Sequence, residues 1–344
     1  MVARTLQLGN ARGFINTRMS LRVLLTNGVL LMLALLLALF ALCYGSLHLS
    51  PQQVWQALHG EGARGMVTVV TQWRAPRIVL ALVLGAGLGV SGAIFQSVIR
   101  NPLGSPDVVG FNTGAYTGAL VTIILLNGSY YQIASGALVG GIAAAALVYL
   151  LAWRDGIAGF RLIIVGLGIA ALLSAFNTWL IITGSLESAM NAALWGAGSL
   201  NGMTWAKGQP ALLCIPLTML AVLLMGKRLQ LMEMGDDSAR ALGVNAEASR
   251  LWLMLFGIIL TAVATASAGP ISFIALAAPQ IARRLTRASS VPLFSAATTG
   301  ALLLLAADLT AQHSFDGVQL PVGAVTVSIG GLYLIWLLIR EARR

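Results

Sequence analysis

The side chains able to do chemistry are few and scattered. His48, His59 and His313 lie far apart, and no group of His, Cys, Asp and Glu has the spacing that holds a metal ion. No Ser-His-Asp grouping is legible. No G-x-x-x-x-G-K-[ST] phosphate loop is present, so the chain lacks that device for binding ATP. Cys43 and Cys214 each sit in an apolar run and read as small buried hydrophobes rather than a disulfide or metal pair. One acidic residue stands out, Asp308 in LLLLAADLTAQ. A carboxylate inside a membrane is a candidate functional group, but its position near the end of its run makes a hydrogen-bonded structural role at least as good a reading.

The run around Asp308 is one of many. Hydrophobic residues make up 58% of the 344 and charged residues 9%, with a mean hydropathy of +0.86, whereas a soluble domain is about a quarter charged. The excess apolar surface must face lipid. A helix needs roughly 20 residues to cross the hydrocarbon core, and runs near that length occur at 23–44, 76–99, 107–126, 131–152, 162–183, 208–226, 251–268, 271–285, 292–312 and 321–339. The eighth is short and opens on Gly269-Pro270, so a half-helix there would reduce the full crossings to nine. The runs are apolar all round, unlike the alternating segments of about ten residues in a membrane barrel. The expected fold is all-α: a polytopic transmembrane bundle of about ten helices.

With ten crossings and a cytoplasmic N-terminus, Arg64, Arg74, Arg77 and Lys207 fall outside. The other seventeen of the 21 Lys and Arg, from Arg4 to Arg344, fall inside. That asymmetry places both termini in the cytoplasm. It also accounts for the net charge of +10 by basic residues at helix ends rather than on a nucleic-acid-binding face. The first run is too long for a signal-peptide core and no small-residue cleavage site follows it. Residues 1–22 read as a polar, basic cytoplasmic tail. Either translation starts at Met19 or the first eighteen residues are disordered; residues 23–344 form one membrane domain.

A proton- or sodium-coupled carrier would place several ionisable groups near the midplane, and these runs carry almost none. Glycines at four-residue spacing (Gly85 and Gly89; Gly110, Gly114 and Gly118; Gly136 and Gly140) point to close helix packing. Two polar segments on the inner side are more informative. In MEMGDDSARALGVNAEASR, from Met232, Asp236 or Asp237 is placed to cap a short helix through Ser238, Ala239, Arg240, Ala241 and Leu242, with Gly243 as its stop. Such a helix suits insertion into a partner's groove. In AGPISFIALAAPQIARRLTR, from Ala268, two prolines bracket a short apolar helix ending in a basic cluster.

These segments, with WRAPRIVLALVLGAGLGVSGAIFQ from Trp73, RNPLGSPDVVGFNTGA from Arg100 and LPVGAVTVSIGG from Leu320, resemble the iron-siderophore and cobalamin permease family of ABC importers. The likeness runs from the second span to the last. It implies the type II importer fold and a non-enzymatic permease subunit in the bacterial inner membrane. The implied partners are a second homologous membrane subunit, expected to differ from this one, two copies of a cytoplasmic ATPase, and a periplasmic siderophore-binding protein. No cofactor is expected on this chain, ATP and Mg belonging to the ATPase. The implied cargo is a ferric siderophore. Leu194–Lys207 and Phe111–Leu120 suggest ferric enterobactin, a catecholate; hydroxamate siderophores, iron citrate, haem and cobalamin are the alternatives within the family.

Position by position, the resemblance makes Gly235–Gly243 the helix that rests on the ATPase. It places an inner gate at Asn101, Pro102 and Leu103 with Gly159 and Phe160, where Asn-Pro followed by Gly-Ser-Pro reads as a rigid turn. Arg74 and Arg77 match positions that receive acidic residues of the binding protein, against a plainer reading as interfacial snorkelling. Gln312 stands where some relatives carry a further Arg, which weakens a simple salt-bridge docking scheme. The fifth span is expected to face the conduit, with Asn177 and Thr178 as polar contacts.

Overall fold

A computed structural model describes residues 5–8, 17–45, 47–107, 110–153, 159–288, 290, 292–315 and 318–342. Arg4, Arg12, Arg154, Arg343 and Arg344, counted above in the charge asymmetry, lie outside the described residues. A short antiparallel pair, β1 (Thr5–Leu8) and β2 (Thr17–Ser20), precedes the bundle. Helices follow in the order α1 (Leu21–Cys43), α2 (Pro51–Leu58), α3 (Arg64–Thr68), α4 (Ala75–Ile99), α5 (Phe111–Leu120), α6 (Tyr130–Ala152), α7 (Gly159–Thr183) and α8 (Leu186–Gly196). The remainder are α9 (Trp205–Leu224), α10 (Gly226–Glu233), α11 (Asp236–Ala241), α12 (Ala246–Ala268), α13 (Ile274–Thr286), α14 (Leu293–His313) and α15 (Val322–Ala342).

Each of the ten expected runs meets a helix. Among the described residues seven helices are long and apolar enough to cross a membrane, and Phe111–Leu125 and Val322–Tyr333 are shorter apolar stretches. The tenth, α13, has 13 residues, about 20 Å at 1.5 Å per residue, and is the half-helix that Gly269-Pro270 announced. Gly269 (φ +74°) and Phe273 (φ +79°) break the chain before it. The break is tied to its neighbours: Ser199 N–H donates to the Ala268 carbonyl at the end of α12 (2.7 Å), and Gly323 N–H to that of the adjoining Gly198 (3.0 Å).

Helix limits differ from the apolar runs where a cap or a pairing overrides hydropathy. The run expected from 107 becomes helical only at Phe111, after Gly110 (φ +76°). The helix expected from 251 starts at Ala246, because the Asn245 side chain accepts from Ala248 N–H and Arg250 is neutralised within the first turns. Ahead of α4, α3 and a π-helical turn (Val69–Arg74) extend the second helix back to Arg64. Helix α8, in the segment 184–206 between the fifth and sixth runs, was not anticipated.

Cross-helix contacts define the two ends. At one, Arg22 donates to the Leu285 carbonyl (3.0 Å), Gln280 to that of Pro102 (2.8 Å), and Arg100 and Arg250 both reach Asp236. Arg284 lies 5.9 Å from the Trp336 ring of α15 at this same end. At the other, Arg74 donates to the Leu42 and Leu47 carbonyls, the Trp205 indole to that of Thr71 and the Tyr130 hydroxyl to that of Ser267. Among the described residues the chain therefore traverses the bundle ten times, counting α13 with its extended lead-in, and α1 starts at the end where α15 finishes. The end that carries Arg22, Arg100, Arg250 and Arg284 is the basic end.

Burial grades from the centre outward. The second helix is 78% buried over its most apolar window and α14 72%, against 17% for α1 and α7. The centre is a glycine seam. A methyl at Gly85 would overlap the Gly300 carbonyl, one at Gly89 that of Ala296, and one at Gly92 that of Ala275. Gly114 and Gly118 of α5 meet Gly136 and Gly140 of α6 in the same way. Outside, large apolar side chains such as Leu35, Leu150, Leu172 and Leu224 are exposed, the arrangement a lipid solvent selects.

Candidate functional site

The basic end carries the first cluster. Helix α11 has six residues between two glycines, Gly235 (φ +110°) and Gly243 (φ +81°). The N-cap is Gly235, whereas Asp236 or Asp237 was expected there; both aspartates occupy the first turn, where negative charge suits the helix dipole. The stop at Gly243 forms as expected, with Gly243 N–H donating to the Arg240 carbonyl and Val244 N–H to that of Ala239 (both 2.9 Å). Ala239 is fully buried, while Met234 and Leu242 project 67% and 60% exposed. Ser238, Ala241 and the Asp237–Arg240 pair (3.8 Å) complete the helix on its open side.

Asp236 joins three elements. One carboxylate oxygen meets Arg100 at 3.2 Å and the other Arg250 at 2.5 Å. Partial burial opposes its charge, but the hydrogen bond from Arg250 and the positive charges of Arg250, Arg100 and Arg240 outweigh it. The carboxyl is held below the usual range. Beside it, Ser97 donates to Glu233.

The turn expected as a gate follows Arg100 directly. Arg100 is left-handed (φ +55°), the Asn101 side chain accepts from Leu103 N–H (2.9 Å), and Gly104 N–H donates to the Asn101 carbonyl (2.9 Å). Gln280 of α13 holds the Pro102 carbonyl. A cavity of about 470 Å³ lies here, lined by Ser97, Arg100, Asn101, Pro102, Glu233 and Arg283, among others. Gly159 and Phe160 open α7 at the same end of the bundle. Leu103 and Phe160 are 49% and 76% exposed, so neither of these side chains, expected at a gate, is closed off within this chain.

At the opposite end, Arg74, Arg77 and Gln312 all line one cavity of about 460 Å³ with Trp73, His313 and Gln319. Their own partners lie within the chain. Arg77 makes a two-pronged pair with Asp308 (both 2.8 Å) and reaches Gln319 (3.3 Å), while Gln312 donates to Asp308 (2.8 Å). Asp308 is 1% exposed. The structural role read for Asp308 is therefore present, with a partner that sequence reasoning missed. The available signal was Asp308 alone, about a turn inside its run, since a carboxylate in lipid needs a partner and Arg77 stands at the corresponding end of the 76–99 run.

The two residues expected on the conduit separate. Asn177 is buried and its amide has no partner among the described residues, while Thr178 is exposed and donates to the Ser174 carbonyl (3.0 Å).

Comparison with known proteins matches residues 31–340 to the FecCD transport family. The chain is 56% identical over 325 residues to the ferric enterobactin transport system permease protein FepG of Escherichia coli (strain K12), covering 94% of this chain and 98% of that protein. It is 34% identical to the achromobactin transport system permease protein CbrC of Dickeya dadantii (strain 3937), covering 91% and 90%. A solved structure described as a metal-chelate type ABC transporter in an inward-facing conformation superposes with a TM-score of 0.81 at 27% identity, over 92% of this chain and 99% of that one.

Proposed function

This chain belongs to the FecCD transport family and is a multi-pass, non-enzymatic permease subunit of an ABC importer; from that premise we propose that its cargo is ferric enterobactin. The observation that carries the cargo is the gap in similarity. Identity is 56% to the ferric enterobactin permease but 32–35% to permeases for achromobactin, hydroxamate, citrate, haemin and vitamin B12 complexes.

On this reading the basic end faces the cytoplasm of a bacterial inner membrane, with both termini there. A second, homologous but different membrane subunit covers part of the exposed apolar surface, and two ATPase copies carry ATP and Mg. Met234 and Leu242, apolar and exposed at a polar membrane face, are what an ATPase groove would cover. Residues 235–243 then transmit ATPase closure. The cavity bounded by Arg74, Arg77 and Gln312 receives the loaded siderophore-binding protein, Asp308 holding Arg77 and Gln312 in place. Ferric enterobactin passes between the two membrane subunits by alternating access, Thr178 on the path and Leu103 and Phe160 closing its inner mouth. Asn177 reaches the path only when α7 shifts, since its side chain is enclosed here.

The test is uptake of labelled iron by a strain lacking the gene, with and without the gene restored, supplied as ferric enterobactin or as a ferric hydroxamate. Loss and rescue confined to enterobactin is the expected result. Loss confined to the hydroxamate would reassign the cargo and leave the family unchanged.

A further inference from the structure

We propose that Asp236 is a transmission pin: its two carboxylate oxygens fasten α11 to the Asn101–Leu103 turn through Arg100 and to α12 through Arg250. This rests on the reading of α11 as the ATPase contact. The need for a pin follows from the glycines. Gly235 and Gly243, both at positive φ, are backbone swivels on either side of a six-residue helix. A push on α11 that travelled only through the chain would turn the helix about them and be lost.

Asp236 removes that freedom. One oxygen holds Arg100, the last residue before Asn101, at 3.2 Å, and the other holds Arg250, in the second turn of α12, at 2.5 Å. Beyond Arg100 the path is stiff. The Asn101 side chain and carbonyl close the turn on Leu103 and Gly104, and Gln280 carries it to α13 by donating to the Pro102 carbonyl at 2.8 Å. Gln96, one turn before Arg100, donates to the Leu276 carbonyl (2.9 Å), and Ser97 meets Glu233 of α10. Displacing α11 therefore displaces the end of α4, the turn and the half-helix together. The neighbouring aspartate serves no such purpose, since the Asp237 carboxylate is fully exposed and among the described residues pairs only with Arg240 of its own helix, at 3.8 Å.

The Arg100 side chain is 46% exposed, and a pair that open adds little to stability. Its loss should appear in coupling rather than in folding. The experiment reconstitutes the full chain with its partner membrane subunit, ATPase and binding protein in liposomes. It measures ATP hydrolysis and uptake of iron-labelled ferric enterobactin for wild type, Arg100→Ala, Arg100→Lys, Asp236→Asn and the double variant Arg100→Ala/Asp236→Asn. Uptake per ATP hydrolysed should fall about tenfold in Arg100→Ala and Asp236→Asn, within the usual size of a coupling effect, while hydrolysis continues. The double variant should be no worse than the worse single one, because both remove the same contact, and Arg100→Lys should recover part of the loss. Unchanged uptake per ATP in Arg100→Ala, or defects that multiply in the double variant, would overturn the pin. If Asp236→Asn fails to assemble because Arg250 is left buried, Arg100→Ala alone decides. Absence of ATP-driven ferric enterobactin uptake by the wild-type complex would overturn the cargo reading, and the pin would then be judged by the same ratio with the cargo that the uptake test identifies.

Discussion

Replacing Asp308 by Asn leaves the Arg77 guanidinium, 13% exposed, without its counter-charge. Removing one partner of a buried pair costs about 3–5 kcal/mol. Asp308→Asn should therefore lower the thermal midpoint of the detergent-solubilised protein sharply, and Asp308→Asn/Arg77→Met should recover much of it. Equal midpoints for the single and double variants would show that the loss does not come from an arginine left without its counter-charge. The Asp236 carboxylate carries a pH prediction of opposite scale. Its folded value lies below the ordinary 3.8, so the stabilisation it supplies is complete above 3.8 and is lost as pH falls through the lower folded value. Capture of the ATPase by the solubilised permease should be the same at pH 7 and pH 5. A loss between those two that disappears in Asp236→Asn would show that Asp236 is not held below its ordinary value. These partnerships were the least legible part of the sequence. Arg77 and Asp308 are 231 positions apart and Arg100 and Asp236 136, and no local spacing records such a pairing.

Helices and their breaks were legible in proportion to how local their causes are. Apolar length located the spans, Gly269-Pro270 located the half-helix, and the stop at Gly243 was visible as a glycine after a helical stretch. Helix α8 escaped because it has 11 residues and lies between two apolar runs, where length and hydropathy give no signal. The start of α12 was misplaced because hydropathy counts Arg250 as solvent-facing, whereas Asp236 neutralises it. The glycine spacing correctly announced close packing but could not say which helices meet. The structure assigns Gly92 to α13, where an added methyl would overlap the Ala275 carbonyl, and leaves nothing within 4 Å of Gly28 in α1. Gly92→Ala should cost at least the ~1–3 kcal/mol of an overpacked core, read as a lower thermal midpoint and weaker uptake. Gly28→Ala should be neutral in both; equal effects of the two would show that the seam yields.

For the molecule as a whole, the multi-pass helical class followed from composition, whereas the proposed cargo rests only on likeness to relatives, because no compact motif in the chain marks it. The glycine seam has a further consequence, in the order of synthesis. Gly85 and Gly300, which touch backbone to backbone, are separated by 215 positions. Helix α4 must therefore enter the bilayer long before α14 exists, with its bare glycine face and the Arg77 charge meeting lipid or a chaperone instead of their partners. A chain stopped after residue 290 should be inserted yet cleared far faster than the full chain in a pulse-chase experiment, and comparable lifetimes would show that α4 finds another shelter. Until α14 arrives, a cell's quality control has an unpaired arginine in α4 by which to recognise an unfinished permease.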